Sequence, residues 1–253
     1  MKSPVVVIGL GEMGSVFARG LLKSGHPVYP VTRSMDIQKE ARSIPDPELV
    51  LVAVAENDLH AVLKDIPAQW CNKLVLLQNE LLPRDWQQYQ LTNPTVISVW
   101  FEKKKGQNAK VIIPSPVFGL HAEPIAQALA NLDITTRILT DAASLEFELV
   151  LKNVYILTTN IAGLVTGGNV GELWQSHEET ARAVANDVMD LQESLTGNTY
   201  PRKALIDGMV NAFHGDLEHK CMGRSAPARL ERALILAERA RIPVTKLKEI
   251  KQA

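Results

Sequence analysis

VVVIGLGEMGSVFARGLLKSGHPVYPVTR, residues 5–33, decides the fold. Val5–Ile8 is an apolar, β-branched run of the kind that forms a buried strand. It runs into Gly9-Leu10-Gly11-Glu12-Met13-Gly14, and Val16, Phe17, Gly20 and Leu21 then recur at helical spacing. Gly25 ends that helix, and Val28–Val31 follows as a second strand. A GxGxxG turn between a strand and a helix is a dinucleotide-binding fingerprint. Gly9 allows the tight turn, Gly11 lets a pyrophosphate approach the backbone, and Gly14 lets the helix pack against the strand. The helix start offers unpaired amides and partial positive charge to the phosphates. Gly9, Leu10, Gly11, Glu12, Met13 and Gly14 are thus the predicted phosphate-side residues.

The end of the second strand selects the cofactor. An NAD site usually places Asp or Glu there, accepting from the ribose hydroxyls. This chain has Thr32-Arg33-Ser34, and the first carboxylate after them is Asp36. A guanidinium pairs with a 2′-phosphate through charge-assisted hydrogen bonds, so Arg33 points to NADP(H). FAD and S-adenosylmethionine sites share parts of this loop, and glycines alone do not separate them.

Composition sets the outer bounds. The 253 residues suffice for one large domain or two modest ones. With 27 basic and 28 acidic residues the net charge is −1, which offers no electrostatic footprint for nucleic acid or an anionic membrane. Lys103-Lys104-Lys105 reads as a solvated run before Gly106. Cys71 and Cys221, the only cysteines, form neither a disulfide framework nor a metal spacing, which suits a reduced, cytoplasmic setting. No apolar run reads as membrane-spanning, and Met1-Lys2-Ser3-Pro4 leads directly into a strand with no signal-peptide pattern. His214 and His219 are five apart, a poor spacing for two ligands on one helix face, so no metal is expected.

Strands and helices alternate through the first part. Strands are predicted at Leu49–Ala55, Lys73–Gln78, Thr95–Trp100, Val111–Ile113 and Thr135–Leu139. Helices are predicted at Asp58–Leu63, Pro83–Tyr89 and Pro124–Leu132. This alternation gives a mostly parallel sheet covered by helices. The link from the second strand to Leu49 holds only Gln38–Arg42 and a Pro-rich turn, so the Rossmann-type sheet is trimmed. From Leu145 onward only helical spacing appears: Leu145–Val165, Glu178–Leu195, Lys203–Phe213, Ala228–Arg241 and a short C-terminal helix. The expected class is α/β, with a Rossmann-like NADP-binding domain over 1–141 and an all-helical substrate and dimerisation domain over 142–253. Ligands of such sheets sit beside the carboxyl ends of the strands.

At this level the chain resembles the ketopantoate reductase (2-dehydropantoate 2-reductase) family, within the 6-phosphogluconate dehydrogenase-like group. GHPVYPVTR keeps the family's spacing to its NADP-binding arginine, which falls at Arg33. LVLLQNE is similar to the family strand ending in Asn-Gly, which implies that Asn79 lies near the nicotinamide and the substrate. LKNVYILTTNIAGLVTGGNVGEL resembles the family's lysine helix. Lys152 matches the catalytic lysine and Asn160 a substrate-binding asparagine, and Gly171-Glu172-Leu173 also fits. The chain departs from the family at three places. The second helix asparagine falls at Ile156, with Asn153 three positions away. The cofactor-side lysine falls at Ala55, beside Glu56. No glutamate follows Gly223-Arg224, and Glu231 lies about a helical turn beyond.

The resemblance implies an NADPH-dependent reduction of a small 2-oxo acid or related carbonyl. Reduction at a carbonyl carbon leaves a developing alkoxide, which a lysine ammonium can protonate. Two readings compete. An NADP(H)-binding sensor or regulator without turnover would account for the three departures. A β-hydroxyacid dehydrogenase shares the IGLGxMG opening but expects a glycine-rich approach to its lysine, and residues 144–151 contain no glycine. A homodimer is the expected assembly.

Overall fold

The computed structural model describes residues 2–253. The fold is α/β, with a mostly parallel sheet followed by a helical C-terminal part. Two compact units divide within one long helix, at Met1–Glu148 and Leu149–Ala253.

The first unit opens with β1 (Val5–Ile8), α1 (Glu12–Lys23), β2 (Val28–Val31), α2 (Ile37–Ser43), β3 (Val50–Val52) and α3 (Glu56–Lys64). A 3-10 turn at Ala68–Lys73 leads to β4 (Leu74–Leu76), α4 (Pro83–Gln87) and β5 (Thr95–Ile97). Then follow a two-stranded arm, β6 (Phe101–Glu102) and β7 (Lys110–Val111), and finally β8 (Ser115–Phe118), α5 (Ala122–Ala130) and β9 (Thr136–Ile138). The seven-stranded sheet has the order β2-β1-β3-β4-β5-β8-β9, with β5 and β8 antiparallel and the other neighbours parallel. β2 ends the sheet beside β1, where a fuller Rossmann sheet carries another strand.

Val111–Ile113, expected as a sheet strand, is corrected by the structure. Its first residue belongs to the β6–β7 arm, and the sheet strand begins later, at Ser115. Pro114 and Pro116 obscure β8, because proline lacks an amide donor. Pro116 falls just past the last paired residues of β5 and β8, and its carbonyl accepts from the Ser98 amide at 2.9 Å.

Alternate residues of the central strands, Val5, Val7, Leu49, Leu51, Val75 and Ile97, join one core with Phe17 and Leu21 of α1 and Ile125 and Leu129 of α5. Their neighbours Val6, Val50, Val52 and Leu76 are fully buried as well. A sheet buried on both faces explains the continuous apolar runs. α1 and α5 meet at Gly20, where an added Cβ would lie 2.3 Å from the Ala128 carbonyl oxygen.

The second unit holds most of α6 (Ala142–Thr166), then α7 (Val170–Ser176), α8 (Glu178–Thr196), α9 (Arg202–Gly215), α10 (Ala226–Ala240) and α11 (Thr245–Gln252). α8 packs against α7, α10 and α11. Every residue from 149 to 163 is buried, as in a helix apolar all round. By length and composition α6 could cross a membrane, contrary to the expectation that no run would. However, 83% of its most apolar stretch is buried within the protein, as in a core helix.

Inside this apolar unit Asn153 Nδ2 donates to Gln192 Oε1 at 2.9 Å, and both residues are buried. Asn153→Leu strands the Gln192 amide and is expected to cost about 1–3 kcal/mol, measured by urea unfolding. The double change to Leu at both positions recovers most of that loss; a double variant as unstable as the single one would show that the pair matters only for its shape.

Candidate functional site

The carboxyl ends of β1, β2 and β3 surround a cavity of about 890 Å³ within the first unit. That volume lies in the ~300–1,000 Å³ range of small-molecule sites. Ile8, Gly9, Leu10 and Gly11 form one wall, Val31 to Arg33 another, and Ala53 to Ala55 a third.

The glycines that border it have distinct tasks. Gly9 has φ +92°, which L side chains rarely adopt, and its amide donates to the Val31 carbonyl at 2.9 Å. A Cβ at Gly14 would stand 2.0 Å from the Gly9 carbonyl oxygen. Gly14 therefore seats α1 on the turn. Gly11 differs, because a Cβ there would meet nothing within 4 Å. It is the N-cap of α1 and makes no side-chain cap bond, so its lack of a side chain serves open space on the cavity wall. A backbone left bare beside a cavity, at a helix start, fits a pyrophosphate.

Of the other predicted loop residues, Met13 packs against the core shared by the strands, α1 and α5. Glu12, half exposed, accepts from Lys103 Nζ at 3.1 Å. Lys103 is mostly covered, which corrects its reading as part of a solvated run. The pair offsets a carboxylate that would otherwise oppose an anion at the start of α1.

At the opposite wall Arg33 projects into solvent, and its Nη2 donates to Asp58 Oδ2 at 2.7 Å. An exposed pair of this kind contributes at most ~1 kcal/mol and yields readily to a stronger anion. Three carboxylates share the wall: Asp36, Asp58 and Asp65. Asp36 Oδ1 caps α2, accepting from the Gln38 and Lys39 amides. Asp58 and Asp65 reach the cavity from α3 and the residue after it, placements that local sequence reading did not supply.

Asn79 follows β4, and its Nδ2 donates to Glu56 Oε1 at 3.1 Å. It does not border this cavity. Its neighbour Gln78 is buried and donates to the carbonyls of Val52 (2.7 Å) and Val54 (3.3 Å), tying β4 to the end of β3. Ala55, where the family lysine falls, is the N-cap of α3.

Lys152 and Asn160 lie on α6 in the second unit and are both buried. Lys152 Nζ stands 5.6 Å from the centre of the Tyr155 ring, within cation–π range. Asn160 Oδ1 accepts from Arg229 Nη1 at 2.7 Å, and its Nδ2 donates to the Cys221 carbonyl at 3.2 Å. Burial raises the Cys221 thiol pKa to about 11, so it stays protonated at neutral pH. Ile156 is buried, and Asn153 is held by Gln192. Glu231 is exposed and pairs with Lys251. Glu172 closes a capping box with Asn169 at the start of α7, with bonds of 2.8 and 3.1 Å. That N-x-x-E signal was readable in the sequence. Arg229 carried no local signal, since its contact with Asn160 spans 69 residues.

No protein-family profile and no curated protein matches the chain in sequence. Solved structures do match in shape. The 2-dehydropantoate 2-reductase from Methylococcus capsulatus superposes with a TM-score of 0.69 at 15% identity, over 98% of this chain and 94% of that one. The chain has the ketopantoate reductase fold. The PanE/ApbA family ketopantoate reductase from Ralstonia eutropha JMP134 gives 0.68 at 15% identity, covering 97% and 95% of the two chains. D-mandelate dehydrogenase in complex with NADH shares the architecture, with 0.70 at 12% identity over 98% and 96%.

The glycines predict a divergence that urea unfolding can measure. Gly14→Ala is expected to lose about 1–3 kcal/mol or more, because backbone stands where its Cβ must go. Gly11→Ala should stay within about 1 kcal/mol of the native protein, the scale of an N-cap change. Equal losses at the two positions would show that Gly11 is also a packing glycine.

Proposed function

We propose that the chain is an NADPH-dependent reductase of a small 2-oxo acid or related carbonyl, like the ketopantoate reductases whose fold it shares. The observation that carries this reading is the cavity at the ends of β1–β3, with bare Gly11 at the start of α1 on its wall.

The α1 amides and Gly11 would hold the pyrophosphate, with Lys103 offsetting Glu12. Arg33 would exchange Asp58 for the 2′-phosphate, which a guanidinium binds in bidentate fashion. Asp36 and Asp58 on the same wall favour a second reading, an unphosphorylated ribose whose hydroxyls donate to them. Two of the matching structures, both of D-mandelate dehydrogenase, were solved with NADH.

When bound, the nicotinamide supplies the hydride that reduces a carbonyl carbon. Lys152 acts as general acid: its ammonium gives a proton to the carbonyl oxygen as negative charge develops there, and water restores that proton afterwards. The apolar surroundings of α6 strengthen the interaction between ammonium and alkoxide. Asn79 and Asn160 are assigned to polar groups of cofactor and substrate. The reading places the protein in the cytoplasm, in keeping with two free cysteines. A homodimer fits the neighbour from Staphylococcus aureus, which is described as dimeric.

Following nicotinamide absorbance over a panel of 2-oxo acids tests the reaction. Lys152→Ala is expected to lower kcat by about 10²–10⁴-fold with the Kd for NADPH unchanged. Undiminished turnover in that variant would remove Lys152 from the chemistry. Tight NADPH binding with no substrate reduced would favour a sensor. For the cofactor, Arg33→Gln should weaken NADPH by about 10- to 100-fold and leave NADH nearly unchanged, as expected for loss of a charge-assisted pair. Equal effects on the two would assign the site to NADH.

A further inference from the structure

Among the described residues that line the cavity of the first unit, Arg33 is the only cation, against three aspartates, Asp36, Asp58 and Asp65. Asp36 is committed to the cap of α2, where its Oδ1 accepts from the Gln38 and Lys39 amides at 2.9 and 3.2 Å. Asp65 lies beside Gln38, whose Nε2 donates to the Asp65 carbonyl at 2.8 Å. Asp58 places its carboxylate on the Arg33 guanidinium, at 2.7 Å.

The sheet order gives that pair its position. β1 lies between β2 and β3. Arg33 stands just beyond the end of β2, and Asp58 is in the first turn of α3, which follows β3. The ion pair therefore joins the two chain segments that flank β1, and it borders the same cavity as Gly9 and Gly11. The guanidinium assigned to a 2′-phosphate already has an anionic partner.

That partner can compete and can also be displaced. The Arg33 side chain is 89% exposed and that of Asp58 43%. A pair this open shifts an equilibrium by at most about fivefold. A 2′-phosphate must take the guanidinium from the carboxylate, and its bidentate geometry lets it do so. An unphosphorylated ribose leaves the pair intact.

Resting on the dinucleotide reading of this cavity, we propose that Asp58 tunes its choice between coenzymes. It holds Arg33 against the 2′-phosphate and so brings the affinities for NADPH and NADH closer together. Asp58 acts through Arg33, as a positioning residue.

Calorimetry with NADPH and with NADH tests this on the purified chain, on Asp58→Asn, on Arg33→Gln and on the double variant. Both side chains reach solvent, so the variants are expected to fold. Asp58→Asn should raise the preference for NADPH over NADH by about three- to fivefold, through tighter NADPH. A merely structural role would weaken both coenzymes alike and leave their ratio unmoved. In the Arg33→Gln background, Asp58→Asn should leave the ratio nearly unchanged, because the two residues act as one unit. An unchanged ratio in Asp58→Asn would overturn the proposal. So would a shift just as large without Arg33, which would make Asp58 a plain repulsive charge. If neither coenzyme binds the native chain, the dinucleotide reading falls and the proposal with it. If both bind with a ratio indifferent to Asp58, the proposal alone falls.

Discussion

A gap too small for one carbon atom sets the geometry of the first unit. α1 rests on the Gly9 carbonyl at Gly14, and further along at Gly20 it rests on the Ala128 carbonyl of α5. Between those contacts Phe17 and Leu21 fill the core over the sheet. A helix fixed at two backbone contacts cannot tilt or slide without collision. Its first amides are therefore held at the edge of the cavity before any ligand arrives. Such preorganisation reduces the ordering cost of binding an anion. Gly11, on the same turn, has freedom to spare. The three glycines look alike in the sequence, and only their surroundings show that two serve packing and one serves open space.

Much of the fold was legible because it is local. β1, β2, α1 and α8 follow from apolar runs and helical spacing alone, and so does the order of an α/β part followed by an all-helical one. β8 was hidden by its prolines. α7 was hidden by its shortness and by the two glycines before it, although its Asn169–Glu172 box gave a usable signal. Within the candidate site, Gly9, Leu10, Gly11 and Arg33 meet on one cavity, as their positions at strand ends require. Lys103 and Arg229 were not readable. Their contacts reach across 91 and 69 residues, and no periodicity encodes a partner at such separation.

Both units carry exposed ion pairs, and the helical one also buries two cationic side chains. In the first unit Arg33 pairs with Asp58 at the surface, whereas Glu12 pairs with a mostly covered Lys103. Exposed pairs contribute little to stability and can be exchanged for a ligand at small cost. The second buries Lys152 and Arg229. Buried charge is expensive and is kept where its field has a use.

The central claim is that the backbone at Gly9–Gly14 receives a dinucleotide phosphate. Titration of ¹⁵N-labelled protein with NADPH, followed amide by amide, addresses it most directly. The account predicts that the largest and saturable shifts fall on the turn from Gly9 to Gly14 and on residues 32–34. A saturating ligand that leaves those amides unmoved, or shifts confined to other parts of the chain, would contradict it.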